Sequence, residues 1–413
     1  MTPVALVMID GLSSAAFHRR SADLPHLHAL SEEGTCVREV AADLPATSLP
    51  GRTGLLTGVG PERHGIYGNY LLDGGTVRYA NPDDVRVPTL PQRAREAGRD
   101  VAVLGYGMVR PEDARTFRHP WWAGEMVQRA RDLQPIPADE GWLRTARHQD
   151  ASGRLAALVE EGLPADVPDA YAGDRLHYLM AGVEGDRSMM RWTAGVLGQD
   201  PPPDLVATEI LVPDSVQHIV GRDHPFAVWS LAYADALVGT LVSELRRSGR
   251  LDDVTLVVTS DHGHGPVEQA LRPDVVLPGT PFATEGAVLH AFVADGRARR
   301  EVTNRLGEHG VASLPAEHLP PDVRDRVAAF LAPEGTVFER SAEGDRAPRG
   351  AARSRSAHGF APGHPHDVRP LILRGPGVPA DTIERAAAAD VEATLAARVG
   401  LPPAGEGRSL APV

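Results

Sequence analysis

Three apolar runs in this chain end in side chains that bind metal ions. VALVMI at 4–9 ends at Asp10-Gly11, DLVATEILV at 204–212 ends at Pro213-Asp214, and DVTLVVT at 253–259 ends at Ser260-Asp261-His262-Gly263. One such aspartate means little, because aspartate serves turns and helix caps. Three at equivalent places form a pattern. Asp214 and His218 lie four apart, on one face if the segment opens a helix. Carboxylate oxygens with imidazole nitrogens suit zinc or a similar transition ion better than calcium or magnesium. A second concentration is LPATSLPGRTGLLTG at 44–58. Pro50 suits the first turn of a helix and Gly58 its end. Thr47 and Ser48 then fall at or just before the N-cap, where free N–H groups and the positive end of the helix dipole meet a hydroxyl. Phosphate and sulfate esters bind well at such a place. Arg52, one turn in, carries a planar guanidinium suited to bidentate anion contact. Read alone, the segment is equally a plain capped helix. The loop AHGFAPGHPHD at 357–367 offers His358, His364 and His366, and spacing does not choose among them.

These groups need a scaffold that brings distant strand ends together. The apolar runs read as buried strands. VAVLG at 101–105 and PLILRGPGV at 370–378 add two more. Helical patterns lie between them, at LPQRAREAGRD (90–100) and VWSLAYADALVGTLVSELRRSG (228–249). The rhythm predicts an α/β fold with a mostly parallel central sheet flanked by helices. In such sheets ligands sit beyond the carboxyl ends of the strands. Residues 1–110, 201–266 and 351–413 are expected to form the catalytic core. Residues 111–200 and 267–350, the latter with a short strand AVLHAFVA, are expected to be insertions capping that edge. Trp121, Trp122, Trp142, Tyr106 and Arg110 are cap candidates for meeting a base or sugar, and Tyr106 and Arg110 follow a strand end directly.

Composition bounds the partners. The chain has 413 residues, 42% hydrophobic and 23% charged, which excludes a disordered, collagenous or coiled-coil chain. Net charge is −13, which argues against a nucleic-acid polymer as partner. An acidic protein still holds a phosphate ester where metal ions or arginines face it. Every basic side chain apart from histidine is arginine. Cys36 is the single cysteine, so no intramolecular disulfide forms. The start lacks a basic, signal-like region, and no run reads as a membrane span. The expectation is a cytoplasmic protein acting on a small molecule, with no membrane partner and an open oligomeric state.

The ordered motifs VMIDG (7–11), SLPGR…LTG (48–58), PERHGIYGN (61–69), PDSVQH (213–218), SDHG (260–263) and HGF (358–360) resemble the alkaline phosphatase superfamily. The likeness is nearest its nucleotide pyrophosphatase/phosphodiesterase and phosphonoacetate hydrolase branch. It implies two Zn2+ ions, one held by Asp214, His218 and His358, the other by Asp10, Asp261, His262 and Ser48. Only the resemblance selects His358 over His364 and His366, and it makes His64 structural. It implies a phosphate ester hydrolase with Ser48 as nucleophile, a covalent phosphoserine-type intermediate and retention at phosphorus. Two positions depart from the branch: Ser48 stands for its usual Thr, and Gly51 for an Asn that would hold a phosphate oxygen. Arg52 is then expected to bind the anion, with Tyr106 and Arg110, which leans toward monoesters. Thr47 is the fallback nucleophile. The segment Ser48-Leu-Pro-Gly-Arg52 also resembles the sulfatase signature, so a sulfate-ester hydrolase is the main alternative. A phosphonate hydrolase, a mutase of the same superfamily and a metal-binding relative without turnover are the further alternatives.

Overall fold

The computed structural model describes residues 2–73, 75–118, 147–149 and 175–412. Nine strands form the central sheet: β1 (Val4–Ile9), β2 (Thr35–Val40), β3 (Val101–Leu104), β4 (Arg115–Arg118), β5 (Arg147–Gln149), β6 (Leu205–Ile210), β7 (Thr255–Thr259), β8 (Arg369–Arg374) and β9 (Asp381–Ala386). Their order across the sheet is β9-β2-β8-β7-β1-β6-β3-β4-β5. Five helices matter to the site: α1 (Ser48–Thr57), α2 (Arg175–Leu197), α3 (Val212–Val220), α4 (Pro225–Arg247) and α5 (Ala388–Arg398). All six residues of β1 are buried because helices cover both faces. Ala5, Val7 and Ile9 point into one apolar cluster with α2, α3 and α4. Val4, Leu6 and Met8 point into another, with Leu55 and Leu56 of α1 and Val391 and Leu395 of α5. The period-two alternation of a strand thus feeds two helical layers. α4 is a 23-residue apolar helix; its buried residues pack in the first layer.

Register explains the clustering at one edge. β1 runs parallel to β6, with Ile9 opposite Ile210, and parallel to β7, with Met8 opposite Thr259. Asp10, the start of α3 and Ser260-Asp261-His262 therefore leave the sheet side by side. The sheet is mixed: β8 is antiparallel to both β7 and β2. That direction matters, because the loop before β8, not after it, reaches the carboxyl edge and delivers His358.

The chain between Gly265 and Gly350 builds smaller sheets. Phe282–Glu285, Val288–Phe292, Val327–Leu331 and Ala312–Ser313 pair antiparallel around an apolar cluster with Leu277, Leu306 and Phe338. Val288–Phe292 is the expected AVLHAFVA strand. This unit braces the site: the Ala287 N–H donates to the His358 carbonyl at 3.0 Å.

Candidate metal centre and nucleophile

α1 begins at Ser48, with Thr47 at its N-cap and Gly58 ending it in the left-handed region at φ 63°. All ten residues of α1 are buried, so the helix is held by its surroundings and not by surface pairs. Ser48 Oγ lies 3.2 Å from His262 Nε2. Thr47 makes no side-chain capping bond, and its buried Oγ1 has no partner. The two neighbouring hydroxyls are thus distinguished: Ser48 Oγ touches the metal-type cluster, and Thr47 Oγ1 does not.

Around Ser48 the strand ends converge. His262 Nε2 is 3.4 Å from Asp10 Oδ1 and 3.7 Å from Asp261 Oδ2. His262 Nδ1 faces the Gly263 carbonyl at 3.0 Å, so its N–H donates there and the Nε2 lone pair stays free. On α3, the four-residue spacing places His218 Nε2 3.4 Å from Asp214 Oδ1. His218 Nδ1 donates to the Ser356 carbonyl at 3.0 Å, again leaving Nε2 as a lone pair. His358 Nε2 is 4.0 Å from the same Asp214 oxygen, and its ring stacks on His262 with centroids 3.8 Å apart. Among the described residues, three groups offer ligand atoms within 4.8 Å of one another: Asp10, Asp261 and His262; Asp214, His262 and His358; and Asp214, His218 and His264. The side-chain placements of Asp10, Ser48, Asp214, His218, Asp261, His262 and His358 therefore meet at one edge.

The residues present fit divalent cations. Asp10 Oδ1, Asp261 Oδ2, His218 Nε2 and His358 Nδ1 are buried without a hydrogen bond. Such orphans are costly unless a ligand satisfies them. The charge balance agrees. Burial, with the nearby Asp261 and Asp214 carboxylates, pushes the Asp10 carboxyl well up despite the Arg52 guanidinium. For Asp214, burial acts upward, but His218 and His264 outweigh it and hold the carboxyl well below its ordinary range. Burial and the neighbouring His262 push His358 well down, favouring the neutral ring a metal needs.

A family model described as type I phosphodiesterase / nucleotide pyrophosphatase matches residues 4–348. The chain belongs to this family. Mouse bis(5'-adenosyl)-triphosphatase enpp4 is 24% identical over 259 residues, covering 62% of this chain and 46% of its own length. Human N-sulphoglucosamine sulphohydrolase is 25% identical over 258 residues, covering 61% and 48%. The chain thus spans about half the length of the curated relatives it matches. Murine ectonucleotide pyrophosphatase/phosphodiesterase 5, solved as an inactive variant in complex with AMP, superposes with a TM-score of 0.68 at 18% identity, covering 99% of this chain and 98% of that one. The human counterpart gives 0.69 at 15% identity, covering 98% and 97%. At these identities the likeness is one of fold.

Several residues of this type I phosphodiesterase chain stand elsewhere than expected. Arg52 is 7% exposed and does not open onto a cleft. Its guanidinium is spent on Asp10 Oδ2 at 2.5 Å, Glu209 Oε2 at 3.0 Å and Asp261 Oδ2 at 3.6 Å. The guanidinium expected to meet an anion is thus paired with three buried carboxylates. Tyr106 is also buried, and its hydroxyl donates to the Arg52 carbonyl at 3.2 Å, so it packs against α1. Arg110 makes its contacts at Val85 O and Asp83, away from the cluster. Gly51 is no lost amide: a Cβ there would stand 2.5 Å from the Asp261 carbonyl oxygen, so the helix needs glycine to approach β7. An amide does stand near, at Asn69. Its Oδ1 accepts from Leu49 N at 2.8 Å, and its Nδ2 is buried and unpartnered. Glu285, from the small sheet, holds the Asn69 N–H at 2.5 Å.

Asn69 and Glu209 were given no role by the sequence reading, which took His264, like His364 and His366, as a solvent-facing histidine or one placed behind the ligands. Asn69 closes the PERHGIYGN motif, and Glu209 is an acid inside an otherwise apolar strand. His264 is buried, with Nε2 2.9 Å from Asp214 Oδ1, and burial together with His218 pushes it down to about 4. His64 is buried and accepts the Ile66 N–H, a structural role. His366 meets Arg222 at 2.8 Å, and His364 takes the His366 N–H at 3.3 Å. Trp121, Trp122 and Trp142 lie outside the described residues.

Proposed function

We propose that this chain is a two-metal hydrolase of phosphate esters, acting on nucleotide-type phosphodiester or pyrophosphate bonds with Ser48 as nucleophile. The observation that carries the reading is Ser48 Oγ at the N-terminus of α1, 3.2 Å from His262 Nε2 within a cluster of buried, unpartnered carboxylate and imidazole atoms. Asp10, Asp261, His262 and Ser48 would hold one Zn2+; Asp214, His218 and His358 the other. Bound there, the ions would supply Lewis-acid activation of the serine oxygen and neutralise charge on the transferring phosphoryl group.

Ser48 Oγ gives its proton to solvent and bonds to phosphorus as the bond to the leaving alkoxide or phosphate breaks; the leaving group takes a proton from solvent. Water then attacks the phosphoserine, and the Ser48–phosphorus bond breaks. Two inversions give retention. The N-terminal N–H groups of α1 face the developing charge. Asn69 Nδ2 is the free donor next to that helix start and is assigned to a phosphate oxygen. Arg52 holds Asp10, Glu209 and Asp261 in place. The AMP bound by the murine phosphodiesterase 5 variant and the triphosphatase activity in the name of mouse enpp4 support a nucleotide substrate. The sulphohydrolase relative keeps a sulfate ester as the second reading.

The test is zinc-loaded protein against p-nitrophenyl phosphate, bis-p-nitrophenyl phosphate, p-nitrophenyl thymidine monophosphate and p-nitrophenyl sulfate. Preference for the thymidine diester is expected. Dominant sulfate cleavage overturns the reading and points to an oxidised Ser48. No cleavage of any ester with zinc bound favours a relative without turnover.

A further inference from the structure

We propose that Glu285 is a positioning residue for phosphoryl transfer: from the small sheet it anchors the Asn69 backbone, and so aims the Asn69 amide at the substrate beside Ser48. This rests on the reading of Asn69 Nδ2 as donor to a phosphate oxygen. Asn69 is fully buried, and three contacts fix it. Its Oδ1 accepts the N–H of Leu49, the residue after the nucleophile, at 2.8 Å. Its carbonyl accepts the Ala80 N–H at 2.9 Å, where the hairpin of Tyr70–Asp73 and Thr76–Tyr79 closes. Its own N–H donates to Glu285 Oε1 at 2.5 Å, and the Tyr70 N–H reaches the same oxygen at 3.3 Å. An N–H needs an acceptor, so the carbonyl end of the amide faces Leu49 and the NH2 end is left over. That end, Nδ2, is buried without a hydrogen bond. The first two ties are local to α1 and to the hairpin. The third crosses to another sheet, and Glu285 itself is buried, so loss of its carboxyl leaves the Asn69 N–H without an acceptor. Gly68 permits the approach: a Cβ there would stand 2.9 Å from Glu285 Oε1 and displace it. The turn after Glu285 is set against the metal-type cluster, because the Ala287 N–H donates to the His358 carbonyl at 3.0 Å. One turn thus holds the amide donor and His358 in register. A misplacement of about 1 Å in such a group costs about a hundredfold in rate.

The experiment is a double-mutant cycle between Glu285 and Asn69. kcat and KM are read on zinc-loaded protein with p-nitrophenyl thymidine monophosphate, and zinc content by elemental analysis. Hydrogen exchange over residues 66–72 is read on the zinc-free protein. Asn69→Ala should lower kcat about 100–1,000-fold. Glu285→Ala should lower kcat about 10–100-fold with zinc content unchanged, and speed exchange at the Asn69 and Tyr70 amides. Glu285→Gln, whose Oε1 still accepts both N–H groups, should recover most of the rate. In the Asn69→Ala background, Glu285→Ala should cost nothing further in kcat, because the donor it aims is gone. If Glu285→Ala does not fold, Glu285→Asp decides: it draws the carboxyl back by one methylene and should show a smaller kcat loss, again absent in the Asn69→Ala background. Unchanged kcat or unchanged exchange in Glu285→Ala overturns the proposal. An equal kcat loss from Glu285→Ala in both backgrounds overturns it too and makes Glu285 a structural residue only. Wild-type kcat in Asn69→Ala is a different failure: it overturns the reading of Asn69 itself, and the proposal with it.

Discussion

Arg52 shows how a residue's type and its surroundings can point to different roles. Its guanidinium suits a phosphate, yet Asp10, Glu209 and Asp261 take it up. Removing it leaves buried carboxylates without their counter-charge. Arg52→Met is therefore expected to cost about 3–5 kcal/mol in the zinc-free protein, and less once zinc supplies positive charge. Urea unfolding with and without zinc measures this. KM for the preferred ester should change little beside it; a KM rise with unchanged stability would restore the clamp. At Ser48 the expectation is the reverse. Ser48→Ala should lower turnover about a thousandfold or more while both ions stay bound, since only the nucleophilic oxygen is lost. Residual activity near wild type would sink the assignment. Asp10, Asp214, Asp261 and His262 were legible because each follows an apolar strand. Asn69 and Glu209 were not, because only the fold brings Asn69 to the start of α1 and Glu209 to Arg52. The burial of Tyr106 was not legible either: a strand end marks an edge, not which side chains turn outward from it.

Between the strands, the helices decide how well the ligands are aimed. α3 carries Asp214 and His218, and its first N–H groups have no side-chain cap of their own. Asp186 of α2 supplies one across the fold: its two oxygens accept the Leu211 and Val212 N–H groups at 3.0 Å each. Asp186→Ala leaves both donors buried and unpaired, a loss of about 1–3 kcal/mol. It should also loosen the ion assigned to α3, because the helix that aims Asp214 is no longer tied. Paired urea and zinc titrations check this; a stability loss with unchanged zinc affinity would confine Asp186 to a structural role. The strands themselves were readable because burial on both faces leaves continuous apolar runs. The direction of β8 was not, since an apolar run looks the same in either sense. Its antiparallel course is what puts His358 at the site, and pairing partners far away in sequence set that course.

Across the whole molecule, the small sheet of residues 282–331 ties stability to the site. It carries Glu285, which holds Asn69, and Ala287, which holds His358. It also carries His290, buried with neither ring nitrogen hydrogen-bonded and packed on Tyr67 with centroids 5.4 Å apart. Burial pushes His290 and His64 down to about 3. The unfolded chain takes up these protons near pH 6.5, so the unfolded state binds more of them. The stability that the neutral rings contribute is present above pH 6.5 and is lost as pH falls toward 3. Each ring accounts for about 1.4 kcal/mol per pH unit in that window, or about 2 kcal/mol between pH 6.5 and 5. His290→Leu removes one proton acceptor and leaves an apolar side chain against Tyr67. Unfolding free energies of the zinc-free variant from urea titrations should therefore fall less steeply on acidification than those of wild type, by about 2 kcal/mol at pH 5. Equal slopes would mean that His290 is already charged or hydrated in the folded chain. The site would then lose its wall to acid through some other group.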